Sequence, residues 1–215
     1  MPARALLAAL VFVLPCASPA VAATIRTDTP GSAITSYYDS GQWSRDITTV
    51  VKKAKANLKQ DLAADRATHS PALVLDVDET SAFNAPCLEP VDWDLSGLAV
   101  CAVNGDGVAT PVLSLYKYAR TKHVKVVFIT GRPEALAGTT TAELKRLGFS
   151  SGFQLVLRPA TDTQDSVIPY KSAARATVER RGYTILANVG DQRSDLAGGH
   201  SLRRYKLPNP VYLIT

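Results

Sequence analysis

Short apolar runs and longer amphipathic stretches alternate along the chain from residue 43 to residue 189. Trp43 to Ala67 sets Ile47, Val50, Val51, Ala54 and Leu58 on one face at helical spacing, with lysines opposite, and predicts a helix. Ser70-Pro71 breaks that pattern. The next run, Ala72-Leu73-Val74-Leu75-Asp76-Val77-Asp78, is apolar and ends in acid, as a buried parallel strand does on reaching the edge of its sheet. Residues 81–109 carry Pro, Gly, two Cys and Trp93 without periodicity and read as irregular, whereas 110–122 read as helix. Lys125 to Thr130 is a second strand, followed by Gly131-Arg132-Pro133-Glu134 and a helix to about Leu147, its start marked by Pro and acid. Phe153 to Leu157 predicts a third strand, Tyr170 to Arg181 a helix, Tyr183 to Val189 a fourth strand ending in Gly190-Asp191, and Val211 to Ile214 a short final strand. Residues 24–42 read as polar and turn-rich.

Strands alternating with helices imply right-handed βαβ units and an α/β fold: an open, Rossmann-like parallel sheet with helices on both faces. Residues 81–109 are too long for an ordinary strand-to-helix connection and follow the first strand, so they are expected to form a small cap over the sheet's carboxyl edge. The length of 215 residues suits one domain, and 46% hydrophobic with 20% charged residues excludes coiled-coil, collagen-like and disordered classes. A formal net charge of +5 without any long basic run gives no support to nucleic-acid binding.

The N-terminus reads as an export signal over residues 1–23, with Arg4, the apolar run Ala5 to Leu14, and Ala20-Val21-Ala22 matching the A-x-A pattern, cleaved after Ala22 or Ala23. The run is too short to span a bilayer, no other stretch is long enough, and Pro15 before Cys16 does not fit a lipidated cysteine. The expected product is a secreted, periplasmic or extracellular domain of residues 24–215, with no membrane contact once the signal is gone. It keeps two cysteines, Cys87 and Cys101. An even pair in an oxidising compartment predicts a disulfide, with two free thiols as the alternative.

In such folds ligands bind outside the carboxyl ends of the strands. Three of the four main strands end there in polar clusters: Asp76/Asp78, Thr130-Gly131-Arg132 and Gly190-Asp191; Lys171 opens a helix beside them. Asp76 and Asp78 are two apart on an extended segment, hence on one face, and two such carboxylates need a cation between or beside them. Few histidines and clustered acids favour Mg²⁺ over Zn²⁺. The pair also suits a division of labour between an ionised nucleophile and a protonated general acid. Thr130 and Gly131 offer a hydroxyl and an open backbone to an anion, or cap the following helix; Arg132 contacts phosphate or lies exposed. The Lys171 ammonium is placed to neutralise a nucleophilic carboxylate and a phosphoryl oxygen together. Asp191 and Asp195, four apart, share a face if the chain is helical after Gly190, one to ligate a metal and one to hold its water. Asp92-Trp93-Asp94 begins like a calcium loop but ends on Val103 where a Glu is required. P-loop, zincin and nucleophile-elbow motifs are absent, His69 and His123 precede strands at the opposite edge, and His200 could come near the site.

Asp76-Val77-Asp78-Glu79-Thr80, Phe128-Ile129-Thr130-Gly131-Arg132, Lys171, and Gly190-Asp191-Gln192-Arg193-Ser194-Asp195 resemble, in order, the four motifs of the haloacid dehalogenase (HAD) superfamily. More narrowly, the chain is similar to secreted acid phosphatases of the class B and plant vegetative-storage-protein type (subfamily IIIB). Tyr170-Lys171-Ser172 and Lys206-Leu207-Pro208-Asn209-Pro210 contribute to that likeness, which covers roughly residues 35–215. The resemblance implies a Mg²⁺-dependent phosphomonoesterase acting on small phosphomonoesters. In it Asp76 is the nucleophile and Asp78 the acid and base. Asp76, the Asp78 carbonyl and Asp191 hold the metal, with Asp195 behind a bound water, and Thr130, Gly131 and Lys171 bind phosphoryl oxygens. Two departures bear on substrate: a shorter insertion carrying the cysteines, and Arg193 where plant members usually carry an aromatic residue. A catalytically weak storage or binding protein on the same fold is the alternative. Oligomeric state is not legible.

Overall fold

The computed structural model describes residues 25–26, 29–150 and 152–214. The expected export signal lies outside them. Among the described residues no helix is long and apolar enough to cross a membrane.

The chain enters through β1 (Ile25–Arg26), then α1 (Gly31–Asp39) and the 22-residue α2 (Gln42–Ala63). Trp43, Ile47, Val51, Ala54 and Leu58 are buried along one stripe of α2, as their spacing requires. The sheet begins with β2 (Ser70–Leu75). An excursion follows: β3 (Ala82–Phe83), α3 (Ala85–Leu88), α4 (Gly97–Asn104) and β4 (Val108–Ala109). Then come α5 (Val112–Thr121), β5 (Lys125–Pro133), α6 (Ala137–Arg146), β6 (Phe153–Arg158) and α7 (Ile168–Arg180). The chain ends with β7 (Tyr183–Gly190), the four-residue α8 (Arg193–Leu196), β8 (Arg203–Lys206) and β9 (Leu213–Ile214).

Five strands form the main sheet in the order β6-β5-β2-β7-β8, and every neighbouring pair is parallel. This is the α/β architecture that the alternating pattern predicts. Alternate β2 residues serve opposite faces. Leu73 and Leu75 join the larger core with Ile47, Val51 and Leu58 of α2 and Leu115 and Tyr116 of α5. Ala72 and Val74 join the smaller core with Ala174 and Val178 of α7. Burial on both faces is why the strand reads as a continuous apolar run.

Four details differ from the sequence pattern. Helix α1 falls in the stretch that reads as turn-rich, because its Gly, Ser, Thr and Tyr residues have modest helix propensity. Packing holds it instead: Ile34 is buried, and Tyr38 stacks on Trp93 with centroids 5.3 Å apart. Strand β8, Arg-Arg-Tyr-Lys, has no apolar run. It is tied to α2 by Arg203, whose Nε and Nη2 donate to the buried Asp61 carboxylate at 2.6 and 2.9 Å. Segment 211–214 does not extend the main sheet; β9 pairs antiparallel with β1. Finally, strand β2 stops at Leu75. The amides of Ser81 and Ala82 turn back onto the Val77 carbonyl, so Asp76 and Asp78 sit in the turn beyond the strand.

The excursion is more ordered than its sequence suggests. β3 and β4 pair antiparallel at its base, with Phe83 opposite Val108. Cys87 and Cys101 are joined by a disulfide linking α3 to α4. Arg146 of α6 donates to the Gly105 and Gly107 carbonyls at 2.6 and 2.7 Å, fastening the end of α4 to the main body. The bridge closes a sequence separation of 14 residues. Replacing both cysteines with serine is expected to lower unfolding free energy by about 3 kcal/mol in the chain-entropy description. The shift of the urea midpoint, compared with that of the reduced wild type, checks this.

Candidate active site

The carboxyl ends of β2, β5 and β7 meet the start of α7 around one cavity of about 420 Å³. Asp76, Asp78, Gly131, Arg132, Lys171 and Asp191 all line it. The three polar clusters and the lysine read from the sequence therefore converge on a single place.

Lys171 is buried in the first turn of α7 and bridges two carboxylates. Its Nζ donates to Asp76 Oδ1 at 2.8 Å and to Asp195 Oδ1. Burial alone would lower the lysine's pKa, but Asp195 and then Asp76 outweigh it and hold the ammonium charged well above the usual range. Asp76 is pushed the other way, well above a normal carboxylate, by burial and by Asp195, with Lys171 pulling back. Asp191 is raised to about 6, by burial first and then by Asp195. Three hydrogen bonds oppose that shift: Thr80 Oγ1 at 2.9 Å to Oδ1, and Gln192 Nε2 at 2.6 Å and Asn209 Nδ2 at 2.7 Å to Oδ2.

Asp195 is set by local geometry. Its Oδ2 accepts from the Gln192 amide at 2.7 Å, closing a capping box at the start of α8. A β-carbon at position 190 would lie 2.3 Å from that of Asp195, so only glycine admits the aspartate here. Asp76, Asp191 and Asp195 each present a carboxylate oxygen, all within 4.8 Å of one another. Three buried oxygens of this kind, with no histidine or cysteine among them, could hold a hard divalent cation.

Asp78 stands apart from that trio. Its carboxylate receives Arg132 Nε at 3.0 and 3.2 Å, Nη2 at 2.8 Å, and Asn84 Nδ2 at 3.0 Å. Burial pushes its pKa up, but the Arg132 guanidinium outweighs this and holds the group below the usual carboxylate range. The Asp78 side chain is thus engaged by arginine and asparagine. Arg132 is neither exposed nor free: it is buried, and its Nη1 donates to Glu143 Oε2 at 2.6 Å. Thr130 is fully buried and its Oγ1 accepts from the Arg132 amide at 3.2 Å. Gly131 borders the cavity, and nothing lies within 4 Å of the place a side chain would take, so the backbone there is bare to a ligand.

Sequence reasoning missed Glu143, Asn84, Thr80 and Gln192. Glu143 was visible in principle: it shares a buried stripe of α6 with Thr140 and Leu144, an odd place for an unpaired acid. Thr80 and Gln192 stand inside the quoted motifs without a role assigned to them, and Asn84 carries no signal without the turn that brings it in. His200 pairs with Glu179 at 2.6 Å and is exposed, so it stays away from the site.

This order of motifs and this geometry agree with a family match over residues 14–215, to the HAD superfamily, subfamily IIIB (Acid phosphatase). The chain belongs to that subfamily.

Similarity to individual members of the subfamily and its neighbours runs in the same direction. The chain is 32% identical to the stem 31 kDa glycoprotein of Glycine max over 187 residues, covering 83% of this chain and 72% of that one. It is 34% identical to acid phosphatase 1 of Solanum lycopersicum over 155 residues, covering 66% and 58%. It is 30% identical to vegetative storage protein 1 of Arabidopsis thaliana, covering 81% and 66%. The fold matches that of the class C acid phosphatase from Bacillus anthracis, with a TM-score of 0.68 at 19% identity over 82% of each chain. Membership of the subfamily and the likeness to an acid phosphatase support a phosphatase.

Proposed function

We propose that this chain is an exported, Mg²⁺-dependent phosphomonoesterase that works through a phosphoaspartyl intermediate on Asp76. The observation that carries the reading is the buried trio Asp76, Asp191 and Asp195 with Lys171 between two of them, at one end of a ligand-sized cavity. Asp76 attacks phosphorus and the bond to the ester oxygen breaks; Asp78 gives that oxygen its proton. A water then attacks the phosphoaspartyl group, Asp78 takes its proton, and phosphate leaves. Lys171, Thr130 and the Gly131 backbone hold phosphoryl oxygens, since charge neutralisation and positioning dominate this chemistry. Asp76, Asp191 and the Asp78 carbonyl, with Asp195 behind, would hold Mg²⁺, which would supply positive charge to the phosphoryl group. Before substrate binds, Arg132 keeps Asp78 in the base form of the second step. A dianionic ester beside Arg132 competes for the same guanidinium, and that exchange lets Asp78 carry the proton of the first step. Residues 81–109 act as the cap.

Hydrolysis of an aryl phosphate by the chain from residue 24, at pH 4 to 8, with Mg²⁺ or chelator, tests the reading. Mg²⁺-dependent turnover is expected. Folded, metal-loaded protein inert toward a broad panel of phosphomonoesters would establish the storage or binding role instead. The retained Asp76, Lys171 and carboxylate trio favour catalysis over that role.

Stability should report the metal as well. An unfolded aspartate titrates near 3.9, and Asp191 in the fold near 6. Between those values the native state binds the more protons, so metal-free stability falls as pH rises through the window, and the loss is complete above about 6. A divalent ion replaces that proton. The rise in melting temperature on adding Mg²⁺ is therefore expected to grow from pH 4 to pH 7; equal increments at both would count against this site.

A further inference from the structure

The walls of the active-site cavity differ sharply from its floor. Helix α4 contributes Leu98, Ala102 and Val103; facing elements contribute Leu136, Val167 and Ile214. Three polar side chains border the same space outside the floor, Arg158, Gln192 and Tyr212, and the first two are already engaged by the protein itself. Arg158 pairs with Asp162 at 2.9 Å and donates to the Gln164 carbonyl. Gln192 donates to Asp191 and to the Tyr212 carbonyl, and its Oε1 accepts the Ile214 amide at 3.0 Å. Against Leu98, Ala102, Val103, Leu136, Val167 and Ile214 the hydroxyls of a bound polyol or ribose find no partner, and burying them unpaired is unfavourable. The wall is also held in place: Cys101 ties α4 to α3, and Arg146 fastens the end of α4.

We propose that these walls are the leaving-group subsite and that it selects phosphomonoesters of apolar alcohols over those of polyols and nucleosides. The proposal rests on the phosphomonoesterase reading and adds the substrate class. The ester oxygen departs with its alkyl or aryl group, takes one proton, and leaves as the free alcohol; the apolar group itself is unchanged and serves only for binding.

Primary n-alkyl phosphates from ethyl to octyl test this, because they share one leaving-group chemistry and differ only in apolar length. kcat/KM is expected to rise about two- to fourfold per methylene until the cavity is filled, the gain of burying each CH₂ wholly or in part. Propyl phosphate should exceed glycerol phosphate roughly tenfold, because hydroxyls set against the apolar wall are left unpaired. Val103 is 54% exposed, so Val103→Asn spares the core and should flatten the chain-length dependence. A flat dependence in the wild type, with good turnover of every ester, overturns the subsite and leaves the phosphatase reading standing. Turnover of none of them overturns the phosphomonoesterase reading and the subsite with it.

Discussion

Asp76→Asn is expected to lower kcat/KM by roughly four orders of magnitude or more, because it removes the attacking oxygen rather than one of several stabilising contacts. The fold should survive. In the wild type the ionised Asp76 is opposed by burial and by Asp195, and a neutral amide removes both penalties. Lys171 keeps Asp195 as its partner. Metal-free melting temperature at pH 7 should therefore be unchanged or raised, while the Mg²⁺ increment shrinks with the loss of one oxygen ligand. Retained turnover in the folded variant would remove Asp76 from the nucleophile role. Thermal melts with and without Mg²⁺ beside steady-state rates separate these outcomes.

Lys171→Met has the opposite signature. Methionine preserves much of the volume but strips the cation from between two buried carboxylates. Breaking a buried ion pair from one side destabilises by about 3–5 kcal/mol, and here two acids are left facing each other. Turnover should fall by about 10²–10³ at the least, the usual cost of removing one donor to a charged transition state. Mg²⁺ should restore a large part of the stability and little of the rate, since the ion can offset the carboxylate repulsion but not the missing phosphoryl contact. Full recovery of rate with Mg²⁺ would reduce Lys171 to a structural counter-ion. The pair of variants thus distinguishes loss of chemistry with stability kept from loss of both.

How far the site was legible follows from the range of each interaction. Asp76 and Asp78 stood out because an acid pair closing an apolar strand has no packing role. Lys171 stood out only through its place between strands three and four. Arg132 was identified as a site residue, yet its partners were not, because Asp78 and Glu143 are 54 and 11 positions away in the chain. The capping box joins Gln192 and Asp195, three positions apart, but the need for Gly190 appears only when Asp195 folds back over it.

The sequence by itself determined the α/β architecture, the order of the strands along the chain, the edge of the sheet that carries the chemistry, and the acids and lysine placed there. Those features depend on periodicity and on residue type at strand ends, which are local properties. The tertiary structure alone decided that Arg203 and Asp61 make a fifth strand out of a polar segment, and that Asp78 faces an arginine while Asp191 joins the carboxylate trio. It also decided that α4 turns an apolar wall toward the cavity. Each of these is a contact between distant segments, and burial assigns to each a partner that spacing along the chain does not encode.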